Sequence, residues 1–166
     1  YAENLEHAML EETRHFFNHL LSENRNLLEF IDSDYTFLNG ALARHYGIPG
    51  VNGEGFEKVS LLPEHNRGGL LGHGSILTAT SNGVETQPVV RGVWILENLL
   101  GTPPNPPPPD IDPIEPDTRG VSTIRELMEK HRNNPTCFEC HRKIDPLGLS
   151  MEKYDHVGAW RDRYAK

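Results

Sequence analysis

The chain's two cysteines stand three positions apart, with a histidine directly behind the second: Cys137-Phe138-Glu139-Cys140-His141. This C-x-x-C-H spacing is the attachment signature of c-type haem. Two thiols one helical turn apart can each add to a vinyl group of the ring. The adjacent imidazole, held beneath the ring, supplies one axial nitrogen to iron. Both thiols then leave thiol–disulfide chemistry, and a tethered cofactor suits a protein working outside the cell. Three other uses of the pair compete. A thioredoxin-type redox pair needs a strand before the first cysteine, and Asn133-Asn134-Pro135-Thr136 reads as a loop. A zinc site would draw on Cys137, Cys140 and two histidines such as His131 and His141, without the separation of about 12 residues found in the usual finger. The third is an accidental pair with no chemistry. The reading adopted is covalent haem, with Cys137 and Cys140 as thioether anchors and His141 as the proximal ligand.

Only 25 residues follow His141, so a second axial ligand is expected upstream of the motif or close to it. His131 comes first, six residues before Cys137 at the end of a helix. Met151, ten residues after His141, comes second, with Met128, His73 and His45 behind. Each has a plainer role. His131 suits a helix C-terminus, Met128 and Met151 suit apolar core positions, and His45 suits the surface near a helix end. His73 lies between Gly72 and Gly74, which permits close approach of a flat ligand. Five-coordinate iron would favour small-ligand or peroxide chemistry. Haem propionates need cationic or N–H partners when partly buried. Arg91, Arg161 and Arg67 are the candidates, with Trp160 as a wall, though each is equally an ordinary surface arginine. His15 and His19 share a helix face but show no third ligand, and read as a solvated face.

Composition narrows the classes. The 166 residues carry 16 Lys+Arg against 24 Asp+Glu, a net charge of -8. Nucleic acid is a poor partner for such a chain, because phosphate neutralisation needs clustered cations. No apolar run approaches the roughly 20 residues of a membrane span. A 36% hydrophobic content and a mean hydropathy of -0.56 describe a folded chain with a thin core, to which a large flat cofactor would add packing surface. The sequence opens at Tyr1-Ala2-Glu3 without an initiator Met, and reads as an excised piece of a longer protein.

Residues 3–23 are predicted helical, with Leu5, Ala8, Met9, Phe16, Leu20 and Leu21 inward and Glu11, Glu12, Arg14 and Asn18 on the other side. Further helices are expected over 26–31 and from about Tyr35 to Tyr46, the latter capped by Gly47. Residues 48–68 read as loop, and 69–81 as either interrupted helix or a short strand. Pro88–Leu100 is predicted helical, starting at a proline and ending at Gly101. Eight of the thirteen prolines fall in 102–117, which is expected to form an extended polyproline strap rather than an interdomain linker. Ser122–His131 is expected to be a helix capped at Ser122. After the cysteines a new helix is expected to open at Asp145, with Pro146 in its first position, and to run to about Tyr154. The fold class is thus mostly α: an irregular helical c-type cytochrome domain with long loops and a proline-rich strap. Residues 1–50 form an N-terminal helical module packed on the rest, and 51–166 form the haem-binding module.

Several stretches carry a resemblance. These are Arg67-Gly68-Gly69-Leu70-Leu71 with Ser75-Ile76-Leu77-Thr78; Pro88-Val89-Val90-Arg91-Gly92-Val93-Trp94-Ile95-Leu96-Glu97 leading to Leu100-Gly101-Thr102-Pro103-Pro104; and Lys130-His131-Arg132, Cys137–His141, Ile144-Asp145-Pro146-Leu147-Gly148, Tyr154-Asp155 and Gly158-Ala159-Trp160-Arg161. They resemble the planctomycete-type cytochrome c domains, haem-bearing modules of large exported proteins. Glu11-Glu12-Thr13, Phe16-Phe17 and Leu42-Ala43-Arg44-His45-Tyr46-Gly47 are similar to the module that precedes the haem module there. The resemblance implies one covalent haem c, a periplasmic or extracellular location, and a histidine before the haem motif, matching His131. The expected function is electron transfer with a redox partner protein or an adjacent haem domain, and not catalysis. The rival is a peroxidase- or oxidase-like haem enzyme with an open iron site.

Overall fold

The computed structural model describes residues 3–106, 123, 125–126, 128–129 and 135–162. The fold is mostly α, with one two-stranded sheet among the described residues. The chain divides into two units. One comprises residues up to Thr86 together with Tyr154–Arg161; the other contains Gln87–Lys153.

In the first unit, helix α1 spans Glu3–Ser22. Its inward residues are those the periodicity predicts: Ala8, Met9, Phe16 and Leu20 are buried. Two expectations for this helix change. Leu21 is 65% exposed, and Glu12, expected on the outer side, is 1% exposed. Glu12 faces inward because two hydroxyls meet its carboxyl group, Thr36 Oγ1 at 2.7 Å and Tyr46 Oη at 2.6 Å. A buried carboxyl group is tolerable only when hydrogen-bonded in this way.

The stretch 26–31 is one 3₁₀ turn at Leu27–Phe30, where the Asn26 side chain accepts from Leu28 N. The helix expected over 35–46 is a strand followed by a helix. Strand β1, Tyr35–Leu38, pairs antiparallel with β2, Glu57–Ser60, in the register Tyr35↔Ser60 to Leu38↔Glu57. Part of the expected 48–68 loop is therefore strand. Aromatic and β-branched residues (Tyr35, Thr36, Phe37) favour a pleated, half-buried surface. Asn39 then starts helix α2, Gly40–Tyr46, by accepting from Leu42 N at 2.9 Å. Gly47 ends it with φ 71°, as expected. Ala8, Met9, Leu38, Leu42, Ala43, Tyr46, Ile48 and Val51 form one core cluster, and Phe16, Leu20 and Tyr35 a second. Full burial of one such side chain contributes about 1.5–3 kcal/mol. Residues 69–81 resolve as a 3₁₀ turn at Leu70–Gly72 and helix α3 at Gly74–Ala79. His15 and His19 do share a face, but it packs against aromatics of the sheet side: the His15 ring stacks on Phe56 and Phe37, and the His19 ring lies against Tyr35 and Phe37.

Tyr35 supports a prediction about alkaline stability. Its hydroxyl donates to Glu29 Oε2 at 2.6 Å. Burial and then this neighbouring carboxylate push its ionisation from 10.0 up to about 12. The folded state thus holds the phenol proton more tightly than the unfolded chain. The stabilisation is fully present below pH 10 and is lost as pH rises from 10 towards about 12. In urea unfolding measured across that window, Tyr35→Phe is expected to flatten the decline. An unchanged slope would show that this phenol does not set it.

In the second unit, helix α4 spans Pro88–Asn98, with Arg91, Gly92, Ile95 and Leu96 buried. Gly101 follows at φ 60°, and Thr102 N bonds back to Leu96 O at 2.8 Å. Of the strap, 102–106 has no regular structure and 107–117 lies outside the described residues. Residues 125–126 and 128–129 are helical. The cap of that segment is Thr123, one residue after the expected Ser122: Glu126 N donates to Thr123 Oγ1 and Thr123 N to Glu126 Oε2, both at 3.2 Å. This is a reciprocal capping box.

Helix α5, Pro135–Leu149, is the largest departure from expectation. No new helix opens at Asp145, and none runs to Tyr154. A single helix carries the cysteines, passes through Pro146 and ends at Leu149. Glycine allows this helix to lie against α4. A Cβ at Gly92 would collide with the Ile144 carbonyl oxygen, and one at Gly148 with the Pro88 carbonyl oxygen. The two backbones touch there without side chains between them.

Candidate functional site

Helix α5 sorts its residues by face. Cys137 is buried at 7% exposure and Cys140 is half-buried, and both thiols are free. Ile144, Asp145, Gly148 and Leu149 are buried, whereas Phe138, Glu139, Arg142 and Lys143 are exposed. Spacings of three and four residues place Cys140 and His141 beside Cys137 on the helix surface. Both thiols and the imidazole therefore belong to one neighbourhood of one rigid element.

Asp145 holds the imidazole. His141 Nδ1 lies 2.8 Å from Asp145 Oδ1, one turn further along α5. The His141 side chain is 17% exposed and that of Asp145 is 0% exposed. Asp145 read as a helix N-cap in the sequence; in the structure it is an interior helix residue bonded to the histidine of the motif. The signal that could have found this is the i,i+4 spacing of His141 and Asp145, hidden because Pro146 suggested a helix start.

The other candidates divide between the units. Arg91 is buried at 0% exposure, not a surface residue, and its Nη1 donates to Met151 O at 2.8 Å. Met151 is buried just beyond the end of α5, and Met128 is also buried, at 4% exposure. All three belong to the second unit, with Cys137, Cys140 and His141. His131, the leading second axial ligand, lies outside the described residues. Trp160, His73, His45, Arg67 and Arg161 belong to the first unit. Trp160 packs edge-on against Tyr154, and His45 Nε2 lies 2.8 Å from Val157 O. Arg161 Nη2 donates to Thr86 Oγ1 at 2.8 Å. Among the described residues, no three His, Cys, Asp or Glu side chains form a group that could hold a metal ion. No helix among them is long and apolar enough to cross a membrane.

The first unit holds a polar cluster that the sequence reading did not connect. Arg67 donates to the carbonyl oxygens of Gly72 and Gly158, and its guanidinium lies 3.3 Å from the centre of the Tyr46 ring. The Tyr46 hydroxyl donates to Glu12 and accepts from Gly74 N at 2.7 Å. Burial, and next the Glu12 charge, raise the ionisation of this phenol well above the usual range. His73 is 2% exposed, with Nδ1 3.0 Å from Thr13 Oγ1 and its ring edge-on to Phe16. Burial, reinforced by Arg67 and opposed by Glu12, lowers its proton affinity below that of an ordinary histidine. The cluster ties α1, α2 and α3 to the returning segment around Gly158.

A family model described as PSCyt3, protein of unknown function (DUF1588), matches residues 67–164. A second, PSD4, protein of unknown function (DUF1592), matches residues 1–48. No curated protein and no solved structure matches the chain. The PSCyt3 match covers more than half of the 166 residues and contains both cysteines, His141 and Asp145. The chain belongs to the PSCyt3 family.

Proposed function

We propose that the chain is a c-type cytochrome domain that carries one covalent haem on helix α5 and works in electron transfer within a larger exported protein. The observation that carries this reading is the arrangement on α5: two free thiols three residues apart, followed by an imidazole whose Nδ1 is held by Asp145. The donor set fits the group. A histidine bonded through Nδ1 presents Nε2 as its remaining ring nitrogen, the atom an axial ligand needs. The thiols supply thioether anchors at the spacing that two vinyl groups require. The family's name, PSCyt3, agrees with a cytochrome-like domain.

When bound, haem supplies a one-electron ferric–ferrous couple. Cys137 and Cys140 would tether it, His141 would ligate its iron, and His131 is the proposed second ligand. Arg91 remains the proposed propionate partner. Covalent tethering prevents loss of the cofactor outside the cell, in keeping with a periplasmic or extracellular site of action. The electron would pass to a redox partner protein or an adjacent haem domain.

The test is expression of the chain with a periplasmic haem-attachment system, followed by intact mass and a pyridine haemochrome spectrum. One haem per chain with two thioether bonds is expected, and Cys137→Ser or Cys140→Ser should leave one such bond. The absorption spectrum should be low-spin and unmoved by cyanide or CO. His131→Ala should convert it to high-spin. A chain that acquires no haem refutes attachment. High-spin wild-type iron that binds peroxide refutes electron transfer in favour of a haem enzyme.

A further inference from the structure

We infer that Asp145 is the positioning residue for the axial imidazole of His141, and that its negative charge holds the reduction potential of the site down. This rests on the haem-attachment reading of α5. Asp145 follows His141 by four residues in an unbroken helix, so the two side chains lie one above the other on the same face. Asp145 Oδ1 is 2.8 Å from His141 Nδ1, and the Asp145 side chain has no solvent exposure. Its seat is fixed on both sides in sequence. The Ile144 carbonyl oxygen abuts Gly92 of α4, and Gly148 abuts the Pro88 carbonyl. A carboxylate anchored between two backbone contacts has little freedom to turn away from its histidine.

Two consequences follow for the imidazole. An acceptor at Nδ1 selects the tautomer protonated there, which makes Nε2 the unprotonated ring nitrogen and stops the ring from flipping. A charged acceptor does more than a neutral one, because it draws the Nδ1 proton towards itself and raises the basicity of the ligand. A more basic ligand favours the ferric state over the ferrous state, and electron density pushed onto haem iron by its ligand and second-shell hydrogen bonding are recognised means of setting potential. The short distance, the full burial and the helix spacing concern the same pair of atoms.

The test compares the full-length wild type with Asp145→Asn and Asp145→Ala. Asparagine keeps an acceptor oxygen for Nδ1 and removes the charge, whereas alanine removes both. Pyridine haemochrome spectra come first. No haem in the wild type defeats the attachment reading itself and leaves the histidine–aspartate pair to be judged on the unloaded chain. With haem attached in all three, the ferric–ferrous midpoint measured by spectroelectrochemistry should rise in Asp145→Asn and rise further in Asp145→Ala. Midpoints equal to the wild type would overturn the inference, since a merely structural residue would alter stability and leave the potential in place. A second readout does not depend on the variants folding. In the unloaded wild-type chain with ¹⁵N-labelled histidine, His141 should show its proton on Nδ1, in slow exchange with water. A ring protonated on Nε2 and not on Nδ1, or rapid exchange at Nδ1, would overturn the pairing.

Discussion

Gly148→Ala is expected to destabilise the second unit by about 3 kcal/mol or more. A Cβ built at this position overlaps the Pro88 carbonyl oxygen and comes within 2.6 Å of the Pro88 carbonyl carbon and 3.1 Å of Gly92 N. None of these atoms is the end of a flexible side chain, so relief requires one helix to move away from the other. Such a movement would strip Ile95, Leu96, Ile144 and Leu149 of burial on the facing surfaces. Alanine normally favours a helix by up to about 1 kcal/mol over glycine, so the backbone collision and the propensity oppose each other, and the collision is the larger effect. Gly92→Ala should behave alike, because its Cβ meets the Ile144 carbonyl. Denaturant unfolding followed by far-UV circular dichroism reads the effect. A Gly148→Ala chain as stable as wild type would mean that the helices do not cross at these glycines.

Glu12→Ala carries an expected effect of similar size, a loss of about 3–5 kcal/mol. The side chain is 1% exposed and accepts from two separate hydroxyls, those of Thr36 and Tyr46. Deletion leaves both buried donors unpaired and leaves the Arg67 guanidinium over the Tyr46 ring without the nearby negative charge. Glu12→Gln keeps an acceptor for one hydroxyl and should fall between alanine and wild type. For a domain with 5–15 kcal/mol of total stability, a loss of this size lowers the thermal midpoint visibly. A drop of less than about 1 kcal/mol in urea unfolding would show that the two hydroxyls do not depend on this carboxyl group.

Local signals were legible where the chain obeyed them without help. The apolar stripe of α1, the proline that opens α4 and the left-handed Gly47 each follow from neighbours in sequence. The errors arose where distant residues decide. Tyr35–Leu38 has a composition compatible with helix or strand, and its pairing with 57–60 settles the choice. Glu12 looked outward because charge usually faces solvent, and only Thr36 and Tyr46, 24 and 34 positions away, make its burial possible. Asp145-Pro146 carried a sound helix-start signal, yet the helix was already under way, and the aspartate's partner lay four residues behind it. The C-x-x-C-H motif itself was legible from spacing alone. The glycines that seat its helix were not, since close approach of two backbones depends on which helix comes to face them.

The first unit has one further property. Its polypeptide is discontinuous: it leaves at Thr86 and resumes at Tyr154, and the two ends are stitched by Thr86 Oγ1 to Tyr154 O at 3.0 Å. Arg67 reaches its second carbonyl, that of Gly158, only in the resumed segment, and Tyr154 bonds to Asn66 there. A ribosome delivers that segment after residues 87–153 of the second unit. During synthesis the Arg67 clamp therefore stays half made until the cysteine-bearing helix has emerged. Completion of the first unit thus follows translation of the cysteine-bearing helix, an order of assembly written by topology and not by any single contact.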